Sequence, residues 1–287
     1  MLQLGTLLAL ACALATNVAL LCKHRGAVAA PSVHLTSPLR SAKALFRSRW
    51  WAIGFAIATG AWALHVAALA MAPLSVVETT ISAGLVLLAW FAERWFGVRV
   101  GVREWIGLAL CAGGLALLAA TSGQPSDPGA GYSTEAMIPF EAGAIGIGLA
   151  LLLSGSSSSP RGSSGALLGV AAGLLLGVAN VSVKALTGTV PGDPLSLLGP
   201  WTLVALIAGV GAFFALARGM QTTGAISVIT LTTVAANVVS VAGGILVFGD
   251  PVGANPLAVA VRAAAFAAVI AAAALMPSRL RTAPAQA

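Results

Sequence analysis

Apolar residues in this chain fall in long unbroken blocks, and the polar residues collect between them. Crossing about 30 Å of hydrocarbon takes roughly 20 apolar residues as a helix. Blocks near that length occupy 4–22, 50–71, 74–92, 105–120, 137–153, 165–186, 201–217, 224–247 and 257–276. The pattern predicts an all-α, polytopic membrane helix bundle of about nine transmembrane helices. Composition points the same way: 59% of the 287 residues are hydrophobic and 8% are charged. A soluble domain of that size could not cover its surface with so few charges.

The charges between the blocks set an orientation, because Lys and Arg accumulate on the cytoplasmic side. Lys23, Arg25, Arg40, Lys43, Arg47, Arg49, Arg94, Arg99, Arg103, Arg161, Arg218, Arg279 and Arg281 all fall in one set of alternate loops. The opposite loops hold no basic residue and carry Asp127, Glu135, Asp193 and Asp250. Nine spans sort the two sets cleanly, with the N-terminus outside, the C-terminus cytoplasmic and the chain multi-pass in the cytoplasmic (inner) membrane. The first block carries its positive charges after it, at Lys23 and Arg25, the reverse of a secretory signal, and reads as a retained helix.

A sequence pI near 10.4 does not call for nucleic acid as a partner, since orientation and anionic headgroups account for the dispersed basic residues. The stretch 40–49, with Arg40, Lys43, Arg47 and Arg49, reads either as a short amphipathic helix on the membrane surface or as a solvated basic loop. Cys12, Cys22 and Cys111 lie in or at the ends of spans without metal-ligand spacing, and read as small packing residues.

A Gly/Ser-rich linker at 154–164 separates a first transmembrane half, 1–153, from a second, 165–287. The halves share short matches in the same order: Asn17-Val18 with Asn180-Val181, Ser75-Val76 with Ser227-Val228, and Phe91-Ala92-Glu93 with Phe248-Gly249-Asp250. The matched spans, 1–4 against 6–9, lie five apart and therefore cross the membrane in opposite directions. That is the inverted-repeat arrangement of secondary transporters.

The segments Trp50-Trp51-Ala52-Ile53-Gly54, Ala70-Met71-Ala72-Pro73-Leu74 and Phe91-Ala92-Glu93-Arg94 resemble the core of the drug/metabolite transporter (DMT) superfamily, in its EamA-like members. In layout the chain is most similar to the nine-span magnesium-transporter-like (NIPA) branch, and the Asn-x-Ser-x-Lys stretch at 180–184 fits it. Superfamily members typically have ten spans where nine are read here. The resemblance implies a helical fold and a transport role, and leaves the substrate open.

Ionisable side chains inside a bilayer are costly and mark candidate pathways. Glu78, His65, Lys184 and Arg262 are placed in the outer half of the membrane, where Glu78 could pair with Lys184 or Arg262 as a substrate site or gate. Asn17 and Asn180 join them at matched repeat positions, whereas Glu141, just after Pro139, reads as interfacial. Gly165, Gly169, Gly173 and Gly177 recur every fourth residue, a stripe that admits another backbone closely.

No nucleophile elbow, His-Glu-x-x-His pair or phosphate-binding Gly-Lys loop is present, so neither an enzyme nor an ATPase is expected, and no cofactor or metal site. The preferred reading is a secondary transporter of a small metabolite- or drug-type solute, working by alternating access. A magnesium or other divalent-cation transporter is the alternative, and a non-transporting membrane subunit or intramembrane enzyme the second. Expected partners are the lipid bilayer and a small-molecule or ion substrate, with a homodimer allowed.

Overall fold

The computed structural model describes residues 2–33, 37–71, 84, 90–95, 101–121, 132–156, 164–189, 198–223, 225–249 and 256–275. All regular structure among them is helical: α1 Leu2–Ala29, α2 Pro38–Arg47, α3 Arg49–Met71, α4 Val102–Thr121, α5 Thr134–Ser156, α6 Ser164–Thr189, α7 Pro200–Thr222, α8 Ala225–Leu246 and α9 Pro256–Leu275. Residue 84 and residues 90–95, inside the block predicted at 74–92, are helical as well.

Five segments among the described residues are long and apolar enough to cross a membrane: Leu7–Ala29, Thr134–Ser156, Ser164–Leu186, Pro200–Thr222 and Ile226–Leu246. Their outward faces carry Leu7, Ile138, Ile147, Leu153, Leu203, Leu206 and Ile207, large side chains that water would not tolerate in such number. The chain is a multi-pass membrane protein.

α5 is longer than its apolar block predicts. Ser133 precedes it, and its hydroxyl accepts the Ala136 N–H at 3.3 Å, so the helix starts a turn before the first apolar residue. Pro139 stands inside it without ending it. The carbonyl that its ring deprives of a partner belongs to exposed Glu135, in the first turn of the helix. With 23 residues α5 spans about 35 Å.

α6 is the hub, packing against α5, α7 and α8. α1 pairs with α3, and α4 with α9. Two glycines admit the first pairing: a Cβ on Gly26 would collide with the backbone of Trp51, and one on Gly54 would lie 2.7 Å from the Ala19 carbonyl. The glycine stripe of α6 is covered by Thr222 and Thr223, at the end of α7, over Gly165 and by α8 over the other three. A Cβ on Gly173 would strike the Thr232 carbonyl, one on Gly177 would lie 2.5 Å from Val239 Cβ, and one on Gly169 3.2 Å from the Val228 carbonyl. Close approach also lets the Thr232 hydroxyl donate to the Gly169 carbonyl at 2.9 Å, a side-chain bond between helices buried from water.

One end of the bundle is closed by Gln221, at the end of α7. Its Nε2 donates to the carbonyls of Ala27 at 2.9 Å and Pro31 at 3.1 Å, and its Oε1 accepts the Val33 N–H at 2.9 Å. These bonds satisfy backbone groups that the end of α1 leaves open. Lys23, Arg25, Arg40, Lys43, Arg47, Arg49 and Arg218 belong to the segments that meet at this end, while Arg99, Arg161, Arg279 and Arg281 lie outside the described residues. At the opposite end Ser133 N–H donates to the Val247 carbonyl at 3.0 Å and ties the start of α5 to the end of α8.

Candidate polar seam beneath an aromatic cap

The site with the most chemistry lies where α5 packs against α6 and α8. Glu141 is 3% exposed and faces α6, packed against protein. The Ser182 hydroxyl, also buried, donates to Glu141 Oε1 at 2.6 Å. Glu141 Oε2 is buried and has no hydrogen-bond partner among the described residues. The apolar block predicts a span that begins at 137, three residues later than the helix does. With the helix starting at Thr134, Glu141 stands two turns inside. Met137, one turn earlier, is fully buried while Ile138 is exposed, so the apolar sequence around Glu141 carried no signal of which face turns inward.

Above the carboxyl sits an aromatic cap. Trp201 Nε1 donates to the Tyr132 hydroxyl at 2.7 Å, and the Tyr132 ring meets Trp201 and Phe248 edge-on at 5.9 and 6.4 Å. Phe248 is turned inward where α8 ends, followed by Gly249 in the left-handed region at φ 67°. The Lys184 ammonium lies over the Phe248 ring at 4.2 Å, a contact that holds a cation at the rim. Met137, Val181, Ala185 and Val247 pack under the cap as an apolar plug.

Lys184 and Asn180 share a face of α6, and the Asn180 amide donates to Ser240 on α8 at 3.4 Å. The other predicted site residues are dispersed. Asn17 is buried in the first half, its amide donating to the Gly84 carbonyl. His65 is half-buried on α3. Arg262 lies on α9 with its side chain outside the described residues, and Glu78 lies outside them altogether, so the expected pairing of Glu78 with Lys184 or Arg262 does too. Among the described residues no three His, Cys, Asp or Glu side chains come together to hold a metal ion.

The arrangement can hold a proton. A carboxyl shielded from water, with one oxygen accepting from a hydroxyl and the other without a partner among the described residues, offers a single protonation position. The Asn180 amide and Ser240 hydroxyl form a separate polar pair between α6 and α8, on a different face of α6 from Ser182. No family model matches the chain, and no curated protein or solved structure matches it either.

Proposed function

We propose that the chain is a proton-coupled secondary transporter of a small polar or zwitterionic solute, with Glu141 as the proton carrier and the α5–α6–α8 seam as the pathway. The observation that carries this reading is the buried Glu141 carboxyl, bonded across the seam to Ser182 and otherwise open. A structural carboxyl at that depth would be expected to use both oxygens, because an unpartnered buried acceptor costs free energy.

Nine spans with the N-terminus outside, arranged as an inverted repeat of drug/metabolite transporter type, form part of the proposal. Two parallels between the halves support it. α1 packs on α3 as α6 packs on α7. Asn17 bonds to Gly84 within the block at 74–92, and Asn180, its repeat counterpart, bonds to Ser240 in the block matched to that one. An organic solute fits better than a magnesium ion, which is held through several carboxylate and water oxygens. Here a single carboxyl, Glu141, lies in the seam, and no three His, Cys, Asp or Glu side chains gather among the described residues.

The test uses protein reconstituted in liposomes enclosing a pH-sensitive dye, challenged with a panel of amino acids, organic cations and magnesium. A member of the panel should drive proton movement through the native protein but not through folded Glu141→Gln. Equal proton movement through Glu141→Gln would refute the assignment.

A further inference from the structure

We infer that the groove between α2 and the end of α1 binds the phosphate headgroup of an anionic phospholipid. α2 begins with Pro38 at its first turn, where a missing N–H costs nothing. Leu45 is fully buried and Ser41 nearly so, seating one face on the bundle. Phe46 locks that seat, its ring meeting Phe55 edge-on at 5.2 Å and stacking on Phe213 at 6.4 Å. The helix is therefore anchored to both α3 and α7, and its remaining faces point in fixed directions.

One of those faces is basic. Arg40, Lys43, Ala44 and Arg47 recur at helical spacing and line a groove of about 600 Å³, whose other wall is Ala29, Ala30, Pro31 and Ser48. That wall is held by the Gln221 bonds to Ala27, Pro31 and Val33, so the groove has two rigid sides. None of the three basic side chains has a carboxylate partner among the described residues. Like charges three and four apart on a helix repel, and an anion between them would remove that repulsion. Three donors converging on one space suit a phosphate.

The surroundings select a lipid over a free anion. Leu39, at 86% exposure, and Phe46, at 43%, stand on the same short helix as the cations. Trp50, exposed at the start of α3, carries the Arg25 guanidinium over its ring at 4.3 Å. Apolar and aromatic side chains beside a basic groove, at the basic end of a membrane bundle, match the boundary between headgroups and acyl chains. The groove takes the phosphate while Leu39 and Phe46 meet the chains. This inference is independent of any transport activity.

The experiment is native mass spectrometry of the full chain in neutral detergent, titrated with phosphatidylglycerol, phosphatidylcholine, glycerol 3-phosphate or inorganic phosphate. Phosphatidylglycerol should bind the native chain. It should bind Arg40→Gln/Lys43→Gln/Arg47→Gln about a hundredfold more weakly, since each cation near an anionic lipid contributes on the order of fivefold. Arg40→Lys/Arg47→Lys, which keeps the charge, should retain most of the binding. Arg103→Gln, a basic residue on α4 outside the groove, should match the native chain. Thermal unfolding without lipid establishes that each variant is folded. Native affinity in the neutral triple variant would overturn the inference, as would an equal loss in Arg103→Gln. So would phosphatidylcholine, glycerol 3-phosphate or inorganic phosphate binding as tightly as phosphatidylglycerol.

Discussion

Ser182 and Glu141 meet at equal depth from the same end of the bundle. Glu141 stands seven residues after Thr134, where α5 begins, and Ser182 seven residues before Thr189, where α6 ends. At 1.5 Å per residue each lies about 10 Å inside its helix terminus. Two antiparallel helices can join polar groups across a seam only when their depths agree in this way. Ser182→Ala should therefore lower stability by about 1–3 kcal/mol, because it strands a buried acceptor. Adding Glu141→Met should return most of that loss, since an apolar pair leaves nothing unsatisfied. Denaturant unfolding of the two variants in detergent checks the sign. A double variant less stable than Ser182→Ala would contradict the pairing.

The glycine stripe makes a graded prediction. Alanine at Gly173 or Gly177 would drive a methyl into Thr232 or Val239, whereas at Gly169 the nearest atom is 3.2 Å away. Destabilisation should follow the order Gly173→Ala and Gly177→Ala above Gly169→Ala, with the first two costing about 1–3 kcal/mol, as overpacking does. Nothing lies within 4 Å of a Cβ on Gly146. Gly146→Ala should be neutral or stabilising by up to about 1 kcal/mol, from helix propensity alone. Melting temperatures of the four variants decide the order.

Gln221 predicts a local effect. Gln221→Leu keeps bulk but removes the donor to Ala27 and Pro31 and the acceptor for Val33. Amide exchange over 27–33 should rise, while exchange in α6 stays slow, because the bonds lost are confined to that turn. Gln221→Glu keeps the acceptor without the donors and should restore protection only in part. Unchanged exchange at 27–33 in Gln221→Leu would show that the clasp contributes nothing.

The proposed orientation can be tested by labelling. All three native cysteines are buried, so background reaction should be low. In intact cells an impermeant thiol reagent should modify Ser133→Cys, at the capped end, and spare Lys43→Cys on α2. Permeabilisation should expose both. Labelling of Lys43→Cys alone in intact cells would invert the topology.

What the sequence by itself determined was the class of protein. Block length and charge placement respond to the solvent, and a bilayer imposes both whatever the packing. The glycine stripe was legible too, since spacing by four puts Gly165, Gly169, Gly173 and Gly177 on one face of α6. What would cover it was not, and only the tertiary structure set α8 over Gly169, Gly173 and Gly177 and the end of α7 over Gly165. The same holds for Glu141, whose burial against α6 and bond to Ser182 the sequence did not indicate, and for Gln221, whose partners lie nearly 190 residues earlier in the chain. The reason is physical. In a soluble helix the apolar face points at the core, so periodicity reveals what is buried. In these spans lipid and core are both apolar, the helices are hydrophobic on every side, and the choice of inward face falls to close packing and polar partners between distant segments.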